Sequence, residues 1–200
     1  KVDPLSIHIR RAKEGETLLL LNDQKIELHP SDLVVADKNG PLSLAGIMGG
    51  AASSVSDSTR NILIEVACFN PQLIRESSKR HQLSSESSFR FERGLSSYDI
   101  DEVMEATLAL LKEISGFESV SAAKVAEAKA KPRELIWSRA LVEKKLGRLS
   151  LSDDEIFAIL RRLEYEIHPR GSAVALVAPW YRVDIQWLED IMEDIARLVG

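Results

Sequence analysis

A short polar segment divides the chain into two parts of different character. Residues 121–131 read Ser-Ala-Ala-Lys-Val-Ala-Glu-Ala-Lys-Ala-Lys and precede Pro132. Such a composition is typical of a connection between domains, because few of its side chains are large and apolar enough to be fixed in a core. We therefore predict a first domain over residues 1–120, a linker at 121–131 and a second domain over 132–200.

Length, composition and charge indicate a globular protein and argue against a membrane protein or a general nucleic-acid-coating polycation. The 200 residues are 44% hydrophobic, which is enough for globular cores. No apolar run approaches the roughly 18 residues of a membrane span, so no membrane role is expected. The formal net charge of -5 argues against a general polycation that coats nucleic acid, so any RNA contact is local. The single cysteine, Cys68, fits a reducing cytoplasm.

The first domain is predicted to be rich in strands before it turns helical. Short apolar runs alternate with turn signals at Leu5–Ile9, Thr17–Leu21 and Leu33–Ala36. A further strand is predicted at Ile62–Ala67, where Glu65 is the one charged residue. Residues 70–79 are compatible with a helix, and the three- and four-residue apolar spacing of residues 98–114 predicts another.

The second domain is predicted to combine helices with a small hairpin. A strand at 134–137 and a short helix to Leu146 are followed by Ser152 and Glu155, which have the spacing of a capping box. Apolar segments on both sides of Arg170-Gly171 predict a hairpin, and residues 188–199 a final helix. The expected fold class is α+β: a mixed α/β domain, then a small helical winged-helix-like domain with a β-hairpin.

Two features of the first domain could contact a ligand. Gly46-Ile-Met-Gly-Gly50 would let a ligand approach the backbone closely, although a tight turn is the ordinary explanation and no phosphate-loop Lys-Ser or Lys-Thr follows. Glu65 in an apolar strand would be costly to bury without a partner, and a structural salt bridge explains it equally well.

Two clusters of charged residues are further candidates for a ligand-binding site. Residues 75–94 carry five Lys or Arg against three Glu, so they could grip phosphate or form a solvated surface loop. Asp190, Glu193 and Asp194 share one helix face with Asp184 just ahead, which suits Mg²⁺. The ordinary alternative is a solubilising helix end favoured by the helix dipole.

Three motifs in the same order resemble the beta subunit of bacterial phenylalanyl-tRNA synthetase. They are Gly46–Gly50, Ser56–Glu65 and Ser85–Gly94. The tail, with Pro179–Asp184 and Glu189–Arg197, resembles the module that follows this family's editing domain. The resemblance covers essentially the whole chain and implies an N-terminally incomplete editing domain in residues 1–120.

The resemblance implies proofreading hydrolysis of tyrosine that is wrongly esterified to the phenylalanine tRNA. A hydrophobic pocket for phenylalanine cannot strongly reject tyrosine, which only adds a hydroxyl, so a second site must recognise that hydroxyl. Glu65 aligns with the glutamate that recognises the phenol, and Gly49 with a glycine that keeps the pocket open. Ser85 stands where the family usually has threonine, and Ser87 where it has alanine or another small residue.

The resemblance also implies partners and cofactors. Asp184, Asp190, Glu193 and Asp194 align with a Mg²⁺ site shared with the alpha subunit. ATP would be used by the parent enzyme and not bound by this segment. The expected partners are the alpha subunit, in an alpha2beta2 heterotetramer, and tRNA(Phe).

Activity of the segment by itself is expected to be weak or absent. Bacterial members of the family use a histidine a few residues ahead of the position of Lys1, and His8 and His29 do not match it. Two alternatives stay open: a scaffold that only binds RNA or protein, and a free-standing trans-editing deacylase.

Overall fold

The computed structural model describes residues 6–98, 100–118, 120–121 and 133–199. By their contacts these residues form two compact units. The first contains residues 6–95 and 100–116; the second contains residues 96–98 and the described residues from 117 onwards. The predicted linker lies outside the described residues except for Ser121.

Short antiparallel strands form the sheets of the first unit. They are β1 (His8–Arg11), β2 (Thr17–Leu19), β3 (Lys25–Glu27), β4 (Leu33–Asp37), β5 (Gly40–Leu44) and β6 (Met48–Gly49). One sheet has the order β1-β4-β5-β6, with an irregularity between Val35 and Ala36, and β2 pairs with β3 as a separate hairpin. A bridge between Leu20 and Gly50 joins this hairpin to the end of β6.

The helices of the first unit are α1 (Pro71–His81), α2 (Glu86–Phe91) and α3 (Ile100–Ile114). Helix α1 begins where predicted, because the Asn70 side chain accepts hydrogen bonds from the N–H groups of Gln72 and Leu73. Ile74 of α1 is buried in a core formed with strand residues such as Val34 and Leu44. The predicted α3 is confirmed, although it buries none of its side chains fully.

The second unit contains three strands and three helices within the described residues. They are β7 (Glu134–Ile136), α4 (Arg139–Leu146), α5 (Asp153–Arg162), β8 (Glu166–Arg170), β9 (Ala173–Val177) and α6 (Leu188–Val199). The predicted hairpin is confirmed, with β9 between β7 and β8 in an antiparallel sheet. The Ser152–Glu155 capping box is also confirmed. Apolar faces of α5 and α6 pack with Leu176 in one core.

The α+β class is therefore confirmed, whereas one predicted strand is wrong. Residues 62–67 form no strand, and within the described residues no backbone hydrogen bond joins them to a neighbouring strand. Ile62 and Leu63 are exposed. Apolar, β-branched residues favour a strand only where a partner strand accepts their hydrogen bonds, and periodicity does not reveal that partner. No helix in the described ranges is long and apolar enough to cross a bilayer.

A buried carboxylate fastens α1 to the sheet of the first unit. Asp32, which precedes β4, has 0% of its surface exposed. It accepts hydrogen bonds from Ser77 Oγ at 2.7 Å and the His29 N–H at 2.8 Å. It also contacts His81 Nε2 at 2.6 Å and forms an ion pair with Arg80. Three of these partners lie in the second half of α1, so the carboxylate joins that helix to β4.

Replacing Asp32 with alanine is expected to lower the free energy of unfolding by about 3–5 kcal/mol, because Arg80 and Ser77 lose a buried partner. Urea unfolding followed by circular dichroism measures this change. Glu14→Gln, at an exposed position of the same unit, serves as the control and should change stability by less than about 0.5 kcal/mol. An equally small effect at Asp32 would contradict the fastening role.

The contribution of Asp32 is expected to depend on pH. Desolvation by burial acts to raise the pKa of this carboxyl, but hydrogen bonds from His81, Ser77 and the His29 N–H outweigh it and hold the pKa below its ordinary value. In the unfolded chain this carboxyl takes up its proton at about pH 3.9. The stabilisation is therefore complete above about pH 4 and is lost as pH falls through the lowered pKa of the folded state. The stability difference between wild type and Asp32→Asn should shrink across this acidic range, and a constant difference would refute the assignment.

Candidate functional site

Two of the glycines in the Gly46–Gly50 turn are required by the fold. Gly46 has a φ of +67°, and a Cβ there would lie 2.9 Å from Phe69 Cδ2 and 3.0 Å from Ile74 Cδ1. A Cβ on Gly50 would lie 2.6 Å from the carbonyl oxygen of Leu42. The tight-turn explanation therefore holds for Gly46 and Gly50.

Gly49 is different because neither its backbone nor its packing demands glycine. A Cβ there would meet only Leu21, at 3.1 Å from Cδ1, and the Leu21 side chain is flexible and 56% exposed. The Leu21 N–H donates to the Gly49 carbonyl at 3.0 Å, which fixes the backbone of β6 at this point. The fold therefore does not require glycine here, which leaves open the ligand-contacting role that the resemblance implies for Gly49.

The two predicted serines lie at the start of α2 and bind the same turn. Ser85 Oγ donates to the Ile47 carbonyl at 2.7 Å and accepts from the Ser88 N–H at 3.0 Å. Ser87 Oγ donates to the Gly46 carbonyl at 3.0 Å. The structure therefore brings Ser85 and Ser87 to the turn that leads into Gly49. Both hydroxyl protons are used by the turn, so the serines shape this surface.

Glu65 lies outside any strand, and the expectation that its carboxylate is buried is wrong, since the residue is exposed. Protein atoms around it nevertheless desolvate the group enough to raise the pKa of its carboxyl. Among the described residues it has no hydrogen-bond or ion-pair partner, so the salt-bridge explanation finds no support there. No contact among them joins Glu65 to Gly49, Ser85 or Ser87.

Sequence reasoning missed an aromatic pair that lies beside the glycine turn. The rings of Phe69 and Phe91 are 5.1 Å apart and tilted by 57°, directly beside Gly46. Phe69 follows Glu65 by four residues, so their Cα atoms are at most about 14 Å apart. The positive φ of Gly46 and its aromatic neighbours depend on tertiary structure, and the sequence carries no signal for them beyond the glycine itself.

A cleft of about 540 Å³ lies elsewhere in the first unit, and its lining does not include Gly49, Glu65, Ser85 or Ser87. Its lining includes Arg80 and His81 from the basic stretch of residues 75–94, together with Glu27. Because Asp32 already holds Arg80 and His81, this cleft offers a ligand little unpaired charge. The partnerless carboxylate of Glu65 is the stronger chemical signal.

The four acidic residues of the second unit are mostly engaged within the protein. Arg182 binds both oxygens of Asp184, and its hydrogen bonds lower the pKa of that carboxyl. Asp194 accepts from Tyr165 Oη and from Arg182. Asp190 accepts two backbone N–H groups.

In the described part of the chain, no group of three or more His, Cys, Asp or Glu side chains is arranged to hold a metal ion. A fit to Mg²⁺ would need several oxygens to be free at one point. The arrangement does not fit a resident Mg²⁺, and a site shared with another subunit stays a prediction.

Comparison with known families accounts for both units. A family model described as the B3/4 domain matches residues 1–116, and one described as the tRNA synthetase B5 domain matches residues 137–200. The chain therefore belongs to the B3/4 domain family and carries a tRNA synthetase B5 domain after it.

Individual relatives of this chain are beta subunits of phenylalanine–tRNA ligase. The chain is 39% identical, over 98% of its length, to the phenylalanine–tRNA ligase beta subunit of Neisseria meningitidis serogroup A. It is 36% identical, over 97% of its length, to that of Thermotoga maritima. It spans 25% and 24% of these two relatives, about a quarter of their length. The resemblance to the beta-subunit family is thus confirmed.

One solved structure shows limited similarity to this chain. It is an N-terminal fragment of the phenylalanyl-tRNA synthetase beta subunit from Pyrococcus horikoshii, 18% identical, with a TM-score of 0.47. The match covers 100% of this chain and 57% of that one.

Three glycine-to-alanine substitutions are expected to separate structural from ligand-contacting positions. Gly15 has a φ of +74°, and a Cβ added there would have no atom within 4 Å. Gly15→Ala therefore measures only the cost of placing alanine in a left-handed backbone conformation, about 1–2 kcal/mol of unfolding free energy. Gly46→Ala adds a clash with Phe69 and should cost about 2–4 kcal/mol in total. Gly49→Ala should cost less than about 1 kcal/mol, since Leu21 moves aside. Urea unfolding measures all three, and a Gly49 effect as large as that of Gly46 would show that Gly49 is also structural.

Proposed function

We propose that the first unit is the editing module of a phenylalanine–tRNA ligase beta subunit and that, in the whole subunit, it hydrolyses tyrosine from mischarged tRNA(Phe). The observation that carries this proposal is Glu65: an accessible carboxylate with a raised pKa and no partner among the described residues. A carboxylate in that state is an acceptor available to an external donor. The phenolic hydroxyl is the one donor that tyrosine has and phenylalanine lacks.

Selectivity follows from what each amino acid offers this carboxylate. Tyrosine donates its hydroxyl to Glu65, whereas bound phenylalanine desolvates the carboxylate further and gives nothing in return. A site that hydrogen-bonds a hydroxyl can discriminate by about 10⁴–10⁵ against the analogue without it. The backbone left open at Gly49 and the surface shaped by Ser85 and Ser87 provide room for the aminoacyl group.

Hydrolysis in the proposed site is the attack of water on the aminoacyl ester. Oriented hydrogen-bond donors stabilise the oxyanion that forms, so no covalent intermediate on the protein is required. In this reaction the chain binds the side chain of the substrate and holds the ester beside the Gly46–Gly50 turn. The isolated 200-residue chain is expected to be a weak or inactive deacylase.

The second unit is proposed to support tRNA binding and assembly with the alpha subunit. Its helices α4 and α5, followed by the β8–β9 hairpin, support a winged-helix-like reading in which the hairpin is the wing. The parent is proposed to be a cytoplasmic alpha2beta2 heterotetramer that uses ATP at a site outside this segment.

Glu65→Gln in the full-length subunit, assembled with the alpha subunit, is expected to lower the rate of tyrosyl-tRNA(Phe) deacylation by about 100-fold or more, because an amide accepts a phenol less well than a carboxylate does. Phenylalanine activation should be unchanged. Since desolvation by neighbouring protein atoms raises the pKa of the Glu65 carboxyl, its ionised form is disfavoured in the folded state, and the substitution should not lower stability.

Glu14→Gln, at an exposed position of the same unit, is the matched control. Deacylation is measured with tRNA labelled on tyrosine, and activation by pyrophosphate exchange. Equal deacylation by wild type and Glu65→Gln would refute the proposed role of Glu65. A parallel loss of both activities would indicate damage to the subunit instead.

A further inference from the structure

Arg182 lies between two carboxylates that the sequence suggested for a metal ion. Its Nε is 2.9 Å from Asp184 Oδ1, and its Nη2 is 2.7 Å from Asp184 Oδ2. Its Nη1 is 2.7 Å from Asp194 Oδ2, and Nη2 is also 3.2 Å from Asp194 Oδ1. All three guanidinium nitrogens are therefore engaged by carboxylate oxygens, and the cluster already contains a cation.

Asp194 is fixed from a second side. Tyr165 Oη donates to Asp194 Oδ2 at 2.7 Å, and only 7% of the surface of Asp194 is exposed. Tyr165 itself is 3% exposed and lies three residues after the end of α5 and directly before β8. Asp194 thus joins three parts of the second unit: the start of the hairpin, the segment that contains Arg182, and α6. Freeing this carboxylate for a metal would break its hydrogen bonds to both Tyr165 and Arg182.

The two remaining acidic residues do not form a metal site between them. Asp190 Oδ2 accepts the N–H groups of Gln186 and Trp187, each at 2.8 Å, and so satisfies backbone groups at the start of α6. Glu193 is exposed, and no described residue pairs with it. Mg²⁺ demands near-octahedral oxygen ligation at about 2.0–2.1 Å. One free carboxylate beside a fixed guanidinium does not supply that.

We propose that Arg182 is the resident cation of this acidic cluster, and that Asp184, Asp190 and Asp194 hold the chain that enters α6 in place of a metal ion. The guanidinium suits this task because its planar fork can bind two carboxylates at once, which an ammonium group cannot do with the same geometry. The second unit consequently folds without Mg²⁺. The inference concerns the second unit and is independent of the editing function proposed for the first.

The first test uses thermal unfolding of the 200-residue chain, followed through its tryptophan fluorescence. Wild type should unfold at the same temperature in Mg²⁺ and in EDTA. Arg182→Gln and Asp194→Asn should each lower the midpoint by at least about 5 °C, because the first leaves the buried Asp194 carboxylate without its cation and the second removes the charged acceptor that Tyr165 and Arg182 share. Glu193→Gln, on the same helix as Asp194, is the control and should leave the midpoint unchanged.

Arg182→Lys provides a second variant should Arg182→Gln fail to fold, and an intermediate midpoint is expected. Stabilisation of wild type by Mg²⁺ would overturn the proposal, and so would an unchanged midpoint in both Asp194→Asn and Arg182→Gln.

The second test uses the beta subunit assembled with the alpha subunit, in which a shared metal would be complete. Magnesium content is measured by mass spectrometry after gel filtration in Mg²⁺ buffer. Asp184→Asn should leave the amount of bound Mg²⁺ unchanged, because the Asp184 carboxylate binds Arg182 and not a metal ion. Loss of a bound ion in an assembled Asp184→Asn enzyme with an unaltered circular dichroism spectrum would overturn the proposal.

Discussion

The Asp32 carboxylate is the constraint on which the first unit depends. It lies fully buried where the chain enters β4, and Ser77, Arg80 and His81 approach it from α1. A buried charge is tolerable only when donors replace its lost water, so these side chains and the loop before β4 must stay in one arrangement. Helix α2 begins five residues after α1 ends. The position of Ser85 against the glycine turn therefore follows from where Asp32 holds α1.

The second unit is held together by the same kind of interaction. Asp194, like Asp32, is a buried carboxylate that binds an arginine and a hydroxyl group, in this case Arg182 and the phenol of Tyr165. Burial and the hydrogen bond to Asp194 raise the pKa of Tyr165, so its proton stays in place to donate. In both units an acidic residue connects elements that are distant in sequence. This use of carboxylates explains why acidic residues alone are poor guides to chemistry in this chain.

Elements with local signals were predictable from the sequence. Asn70-Pro71 and the Ser152–Glu155 box start helices by satisfying their own first N–H groups, and Gly171, at a φ of +63°, turns the β8–β9 hairpin. These signals act within a few residues. The strand expected at residues 62–67 failed because pairing is a property of two segments, and the sequence of one segment does not contain the other. Helix α2, with only six residues, was not predicted, because its apolar spacing is too short to detect.

The candidate site, like the fold, was predictable only in part from the sequence. The resemblance singled out Gly49, Ser85 and Ser87, and the structure joins Ser85 and Ser87 to the turn that leads into Gly49. The motifs did not separate Gly49 from Gly46 and Gly50, because that distinction depends on which atoms a Cβ would meet. The partners of Asp184 and Asp194 were equally hidden, although Arg182 is only two residues from Asp184. Sequence spacing shows which carboxylates are near one another, whereas their function depends on which donors reach them.

Glu65 differs from the buried carboxylates Asp32 and Asp194 in its hydrogen-bond partners. Asp32 and Asp194 contribute to stability because internal donors satisfy them, and any external donor would have to displace those partners. Glu65 is partly desolvated and, within the described residues, is satisfied by nothing, so its ionised form is disfavoured in the folded chain. In the proposed editing site a phenol would donate a hydrogen bond to Glu65 that phenylalanine cannot donate, so this carboxylate would itself favour tyrosine over phenylalanine.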